Sequence, residues 1–223
     1  MIGPGLLLAS FALAAQAPPA NANERRAAEV FERTKITRAT YSLYLWNWIR
    51  DPDGSVRREW GAEFHSGSRH RVETPTVRVV ADCAAQDGVL VDLARNRRMT
   101  GAVVAQLACG INTARQARQV TWLGRFRSRY GAVERLLVLD DEDERVYVVD
   151  RRGILVASEV FGRSGDWCLQ AEPLAVLGTI PDGDLFSEAS LARSFVAERY
   201  RSGPAAPDGG LWRRGRRCLS DRD

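Results

Sequence analysis

The chain has 223 residues and a mass of 24.7 kDa, with 45% hydrophobic and 27% charged residues, enough to bury one sizeable core. Thirty-two basic side chains against 28 acidic ones leave a formal charge of +4, and Lys35 is the single lysine, so arginine supplies nearly all the positive charge. This composition excludes a disordered, collagenous or multi-span membrane protein but names no partner.

Leu6 to Ala15 (LLLASFALAA) is an uncharged apolar run, too short for the roughly 20 residues that cross a bilayer. It leads to Ala20-Asn21-Ala22, a small-x-small step of the signal-peptidase kind. Ala15-Gln16-Ala17 also fits, but Pro18 would then lie beside the scissile bond. No Lys or Arg precedes the apolar run. Residues 1–22 are read as a secretory signal and the mature chain as periplasmic, with secretion the alternative.

Glu24 to Thr34 is rich in helix formers and predicts a short amphipathic helix. Thr40 to Arg50 (TYSLYLWNWIR) reads as a strand, Asp51-Pro52-Asp53-Gly54 as a turn, and Val56 to Ser66 as the returning strand of a hairpin. Arg69 to Glu73, Thr76 to Ala81 and Val89 to Leu93 continue as short strands. Ala102 to Cys109, stopped by Gly110, predicts a helix, and Asn112 could cap a second over Thr113 to Gln119. Strands return at Trp122 to Tyr130, Ala132 to Leu139, Arg145 to Val149 and Ile154 to Phe161, with weaker signals at Leu169 to Ala175 and Leu177 to Ile180. Ser190 to Tyr200 reads as a last helix. The result is a single α+β domain over residues 23–200, dominated by one antiparallel sheet, with a Gly/Pro/Arg-rich tail at 201–223.

The first strand carries Tyr41, Leu43, Leu45 and Ile49 on one face and Tyr44, Trp46 and Trp48 on the other. A strand with one solvated face alternates apolar with polar, so here both faces must be covered. Either it is a central strand packed on both sides, or it belongs to a curved sheet whose concave face lines an apolar cavity.

The order of a helix, an aromatic strand, a DPDG turn, a second strand, SRHRVETP and a DG turn, followed by LLVLDDEDERVYVVDRRGILVASEVF and IPDGDLF, resembles the LolA/RseB family of periplasmic lipoprotein carriers and envelope-stress regulators. The resemblance spans about Glu24 to Phe186. It implies a strongly curved antiparallel sheet, an unclosed barrel, with short helices covering the concave face. It further implies a non-enzymatic periplasmic protein holding acyl chains or a lipoprotein in an apolar concavity. The alternative is a regulatory or assembly protein that uses the same fold to bind an envelope protein partner without lipid. Tyr44, Trp46, Trp48, Trp60 and Phe64 are the expected ligand contacts. The insert from Thr100 to Gln119 and the arginine tail depart from the family pattern.

Four cysteines in an oxidising compartment allow three pairings. Cys83 with Cys109 and Cys168 with Cys218 are preferred, because each would join a structured element to a nearby loop or tail. Chemistry-bearing constellations fail. His65 and His70 flank an SGS turn, have no third ligand and read as surface histidines beside a hairpin end. SGS is not a nucleophile elbow. Asp140 to Glu144 lacks the glycine of a calcium loop and reads as a solvated hairpin tip. No phosphate loop or dinucleotide fingerprint occurs. The expectation is a protein without catalytic residues, metal or cofactor. The tail from Arg201 carries +3 and the body only +1, a poor balance for nucleic-acid binding. Arg213, Arg214, Arg216 and Arg217 around Trp212 could touch an anionic membrane surface.

Overall fold

The computed structural model describes residues 21–35, 39–109, 119–140, 143–162, 164–202 and 218. Residues 1–20 of the signal segment, residues 113–118 of the helix expected over Thr113 to Gln119, and Arg213, Arg214, Arg216 and Arg217 lie outside them, while Gln119 opens a strand. Helix α1 (Ala22–Lys35) opens on a capping box, in which the Glu24 N–H donates to Asn21 Oδ1 and Glu24 Oε2 accepts from the Asn21 N–H. Eleven strands follow: β1 (Tyr41–Arg50), β2 (Val56–Ser66), β3 (Arg69–Glu73), β4 (Val77–Asp82), β5 (Asp87–Asp92), β6 (Arg97–Thr100), β7 (Gln119–Ser128), β8 (Gly131–Leu139), β9 (Asp143–Asp150), β10 (Leu155–Gly162) and β11 (Cys168–Leu177). Helix α2 (Ala102–Ala108) lies between β6 and β7.

All strands join one antiparallel sheet in the order β6-β5-β4-β3-β2-β1-β11-β10-β9-β8-β7. Consecutive strands pair throughout except β6 with β7, and at the centre β1 pairs with β11 as well as β2. The first and last strands therefore meet in mid-sheet, and β6 and β7 are its edges. Pro173, which has no N–H to give the ladder, falls in β11 where the register against β1 shifts between Tyr44 and Leu45.

The sheet is curved. Val72 on β3 and Tyr147 on β9 line one cavity of about 180 Å³. Five strand spacings separate β3 from β9, about 24 Å if the sheet were flat. Only a sheet bent around the cavity brings them together.

Both helices pack on this concave face. Ala27, Val30 and Phe31 of α1 sit against Leu136, Val138, Tyr147 and Val149 at the β8–β9 end. Arg26 grips Glu134 with Nε and Nη2 (2.8 and 2.7 Å), and Arg33 adds a third bond at 2.8 Å. Burial opposes ionisation of Glu134, but the hydrogen bonds from Arg33 and Arg26 outweigh it and hold the carboxyl below its ordinary value. At the other end, Val104, Ala105 and Ala108 of α2 bury against Val79 and Ala81 of β4. No helix among the described residues is long and apolar enough to cross a membrane.

The convex face of β1–β3 is covered by the segment from Ile180 to Tyr200. That segment is not the helix expected over Ser190 to Tyr200. It forms a 3₁₀ turn (Glu188–Ala192), an extended stretch and a one-turn helix α3 (Glu198–Arg201). The reason lies in two buried side chains of β3. Arg71 takes the carbonyls of Ser190 and Arg193, and Glu73 accepts the Phe195 N–H, backbone groups that a continuous helix would use internally.

Three further expectations need correction. β6 (RRMT) is exposed throughout and carries no alternation, so it left no strand signal. Leu169 to Ala175 and Leu177 belong to one strand, β11. Asp140 and Asp143 are buried rather than solvated, because Arg145 Nη2 pairs with both, at 3.2 and 2.7 Å. The two disulfides are those preferred above, Cys83–Cys109 and Cys168–Cys218.

Candidate binding cavity on the concave face

The cavity lies between the two helices, over the central strands. Leu45 of β1 faces Gly61 of β2, Ala171 of β11 faces Ser158 of β10, and Ala157 and Leu169 complete an apolar floor. Gly61 leaves room for the Asn47 side chain: a Cβ there would lie 2.8 Å from Asn47 Nδ2. Any larger residue at position 61 must displace that amide.

One wall is polar. Glu63 of β2 is 26% exposed where it lines the cavity, and its register partners are Leu43 of β1 and Val72 of β3. Its carboxyl lies beside the Tyr41 hydroxyl and 3.8 Å from His70 Nε2. Behind it, His70 Nδ1 and His65 Nδ1 are 3.1 Å apart, and the Tyr41 ring stacks on His65 at 5.3 Å between centroids. Both histidines are buried, which corrects the expectation of a surface pair. An Nδ1–Nδ1 bond needs one ring to donate and the other to accept, so the accepting ring is neutral. Burial, with His65 beside it, drives His70 down to about 3. Burial also pushes Glu63 up to about 7, against the Tyr41 hydroxyl that favours the carboxylate. Among the described residues no group of three or more His, Cys, Asp or Glu side chains could hold a metal ion.

These two shifts act oppositely on stability. Glu63 binds its proton more tightly in the folded chain (about 7) than at its ordinary value of 4.5, so raising the pH across that interval costs stability. His70 resists protonation when folded (about 3 against 6.5), so lowering the pH from 6.5 to about 3 also costs stability. Urea unfolding at stepped pH should show Glu63→Gln gaining on the parent protein between about pH 5 and 8, by on the order of 2 kcal/mol. A constant difference across that range would contradict the elevated carboxyl.

The five aromatic residues expected to touch ligand occupy the opposite face, and none of them lines this cavity. Trp46 stands across from Trp60, and Arg58 sits over the Trp46 and Trp48 rings at 4.1 and 5.6 Å. Tyr44 stacks on Tyr200 at 3.8 Å and meets Phe64 edge-on at 5.9 Å. With Trp60, they form the packing surface beneath the C-terminal segment. The indole face is the more conspicuous one in the sequence, whereas the concave face belongs to Leu43 and Leu45. Glu63 and His65 look like a solvated face when β2 is read alone. The signal was available in the pairing, since those residues share a face with the leucines of β1.

No family model and no curated protein matches the chain. Several solved structures are similar. An uncharacterized conserved protein from Thermus thermophilus is 12% identical, with a TM-score of 0.47 over 76% of this chain and 94% of that one. A LolA superfamily protein from Nitrosomonas europaea is 6% identical, with a TM-score of 0.41 over 77% of this chain and all of that one. MucB is 14% identical, with a TM-score of 0.43 over 75% of this chain and 64% of that one. The architecture expected from the sequence is present in the chain itself: one open, curved antiparallel sheet with short helices on its concave face.

Proposed function

We propose that this is an exported, non-enzymatic binding protein that takes a segment of an acyl chain, from a lipid or lipoprotein, into the concave cavity. The observation that carries the reading is the cavity itself, an apolar floor left open between α1 and α2 over the central strands. Its volume of about 180 Å³ compares with the ~150 Å³ of an apolar protein cavity that accepts benzene, so it suits a segment of roughly six carbons. At about 0.8 kcal/mol for each buried methylene, such a segment contributes roughly 5 kcal/mol, a sub-millimolar affinity. Two formed disulfides fit an oxidising compartment such as the periplasm.

Native mass spectrometry of protein purified from its own envelope tests the reading. The expected result is a copurifying lipid on the parent protein, lost in Ala157→Phe and Ala171→Phe, which fill the floor. Each variant should still melt cooperatively, with overpacking costing about 1–3 kcal/mol. A clean apo mass for the parent under gentle conditions would sink the proposal.

A second reading, a regulatory or assembly protein that binds a protein partner without lipid, draws on a different surface. Val103 and Leu107 of α2 are 58% and 61% exposed, and Met99 of the edge strand β6 is 48% exposed beside them. The same apo mass, together with a partner retained in the spectrum and lost in Leu107→Ser, would favour it.

A further inference from the structure

A cavity built for an acyl chain alone needs no carboxylate, yet Glu63 stands in its wall. The groups facing Glu63 are few. From β1 comes the Tyr41 hydroxyl, and from β3 the His70 ring, held neutral by burial and by His65. Beyond Tyr41 lies Asp150, which is already bonded to Arg152 (Asp150 Oδ2 to Arg152 Nε, 2.8 Å). Among the described residues no arginine lines the cavity, although the chain carries 31 of them, and no cation pairs with Glu63. A carboxylate in a cavity wall of low polarity, without a counter-charge, favours a bound cation and repels a bound anion. The remaining polar lining, Asn47, Thr74 and Ser158, is neutral and can donate or accept.

We propose that Glu63 reads the head group of the bound amphiphile, so that the cavity selects chains ending in a primary ammonium over chains ending in a carboxylate or phosphate. The inference rests on the acyl-chain reading above and specifies its ligand class. The ammonium would sit against the Glu63 carboxylate with Asn47 and Ser158 within reach, while the chain lies over Leu45, Leu169 and Ala171.

Isothermal titration of the full, oxidised chain with octylamine, octanol and octanoate tests it. The titrations are run at about pH 8.5, where the amine is protonated and Glu63 ionised. Octylammonium should bind about tenfold or more tightly than octanoate, with octanol between them. Glu63→Gln should bring the three within about twofold. Glu63→Asp keeps the carboxylate and should keep the preference, which separates a lost charge from a lost fold. Octanol binding with no preference for the amine, or a preference that survives in Glu63→Gln, overturns this inference and leaves the acyl-chain reading standing. Binding of none of the three overturns both.

Discussion

Arg71→Ala should lower the unfolding free energy by about 3–5 kcal/mol, the largest loss expected from a single side chain in this protein. Arg71 is fully buried on the convex face of β3. Its Nε donates to Glu73 Oε1 at 2.7 Å, and Nη1 to the Leu185 carbonyl at 2.8 Å and Ser190 Oγ at 2.7 Å. Its Nη2 donates to the carbonyls of Arg193 at 2.9 Å and Ser190 at 3.3 Å. The guanidinium thus commits its whole fork to one segment and one carboxylate. Glu73 in turn accepts from Ser194 Oγ at 2.6 Å and the Phe195 N–H at 3.1 Å.

Removing the arginine leaves a buried carboxylate and several buried carbonyls without their donor. Arg71→Lys should do little better, because an ammonium cannot span these acceptors. Many buried ion pairs can be exchanged for apolar residues at little cost, but Arg71→Met with Glu73→Leu should not recover stability. The Arg193 carbonyl would lose its donor, and the carbonyls of Leu185 and Ser190 would be left with only Ser190 Oγ and the Arg193 N–H. Urea unfolding measures the loss, and limited proteolysis should locate new cleavage between residues 185 and 196. A loss under about 1 kcal/mol would mean that Tyr44, Phe64, Leu185 and Val196 hold the segment without the clamp.

Cys168→Ser with Cys218→Ser should cost nearly as much, about 4 kcal/mol on the loop-entropy account, since the bridge closes 50 residues of sequence. The Cys83–Cys109 bridge closes 26 and is worth about 3.5 kcal/mol by the same account. The first bridge also seats Cys218, which is buried and whose N–H donates to Glu159 Oε1 at 3.1 Å. Its removal therefore releases the covalent and hydrogen-bonded hold on that end of the chain together. Thermal melts of the two double-serine variants, with and without reductant, make the comparison. An unchanged melting temperature in the Cys168/Cys218 variant, or free thiols in a non-reducing mass measurement, would contradict it.

How much of the fold is legible in the sequence varies by element, for physical reasons. β2 and β3 read with their observed bounds, because turns at Asp51 to Gly54 and at Gly67 bracket runs of branched and aromatic residues. α1 and α2 read from helix formers and apolar spacing. β6 escapes because an exposed edge strand takes its shape from hydrogen bonds to β5 and has no burial pattern of its own. The last helix misleads because SLARSFVAERY has the local preferences of a helix, while Arg71 and Glu73, more than a hundred residues earlier, claim its backbone.

The candidate site shows the same division. That β1 must be covered on both faces follows from its residues alone, as does the even count of cysteines that pair within the chain. Which face turns inward does not. Concavity arises when β1 and β11 pair in mid-sheet and the strands on either side bend toward α1 and α2, a long-range closure with no local trace. That closure turned the leucines inward and the indoles outward. It also set a carboxylate into the wall of the cavity and buried two histidines behind it, side chains that β2 and β3 alone would have offered to water.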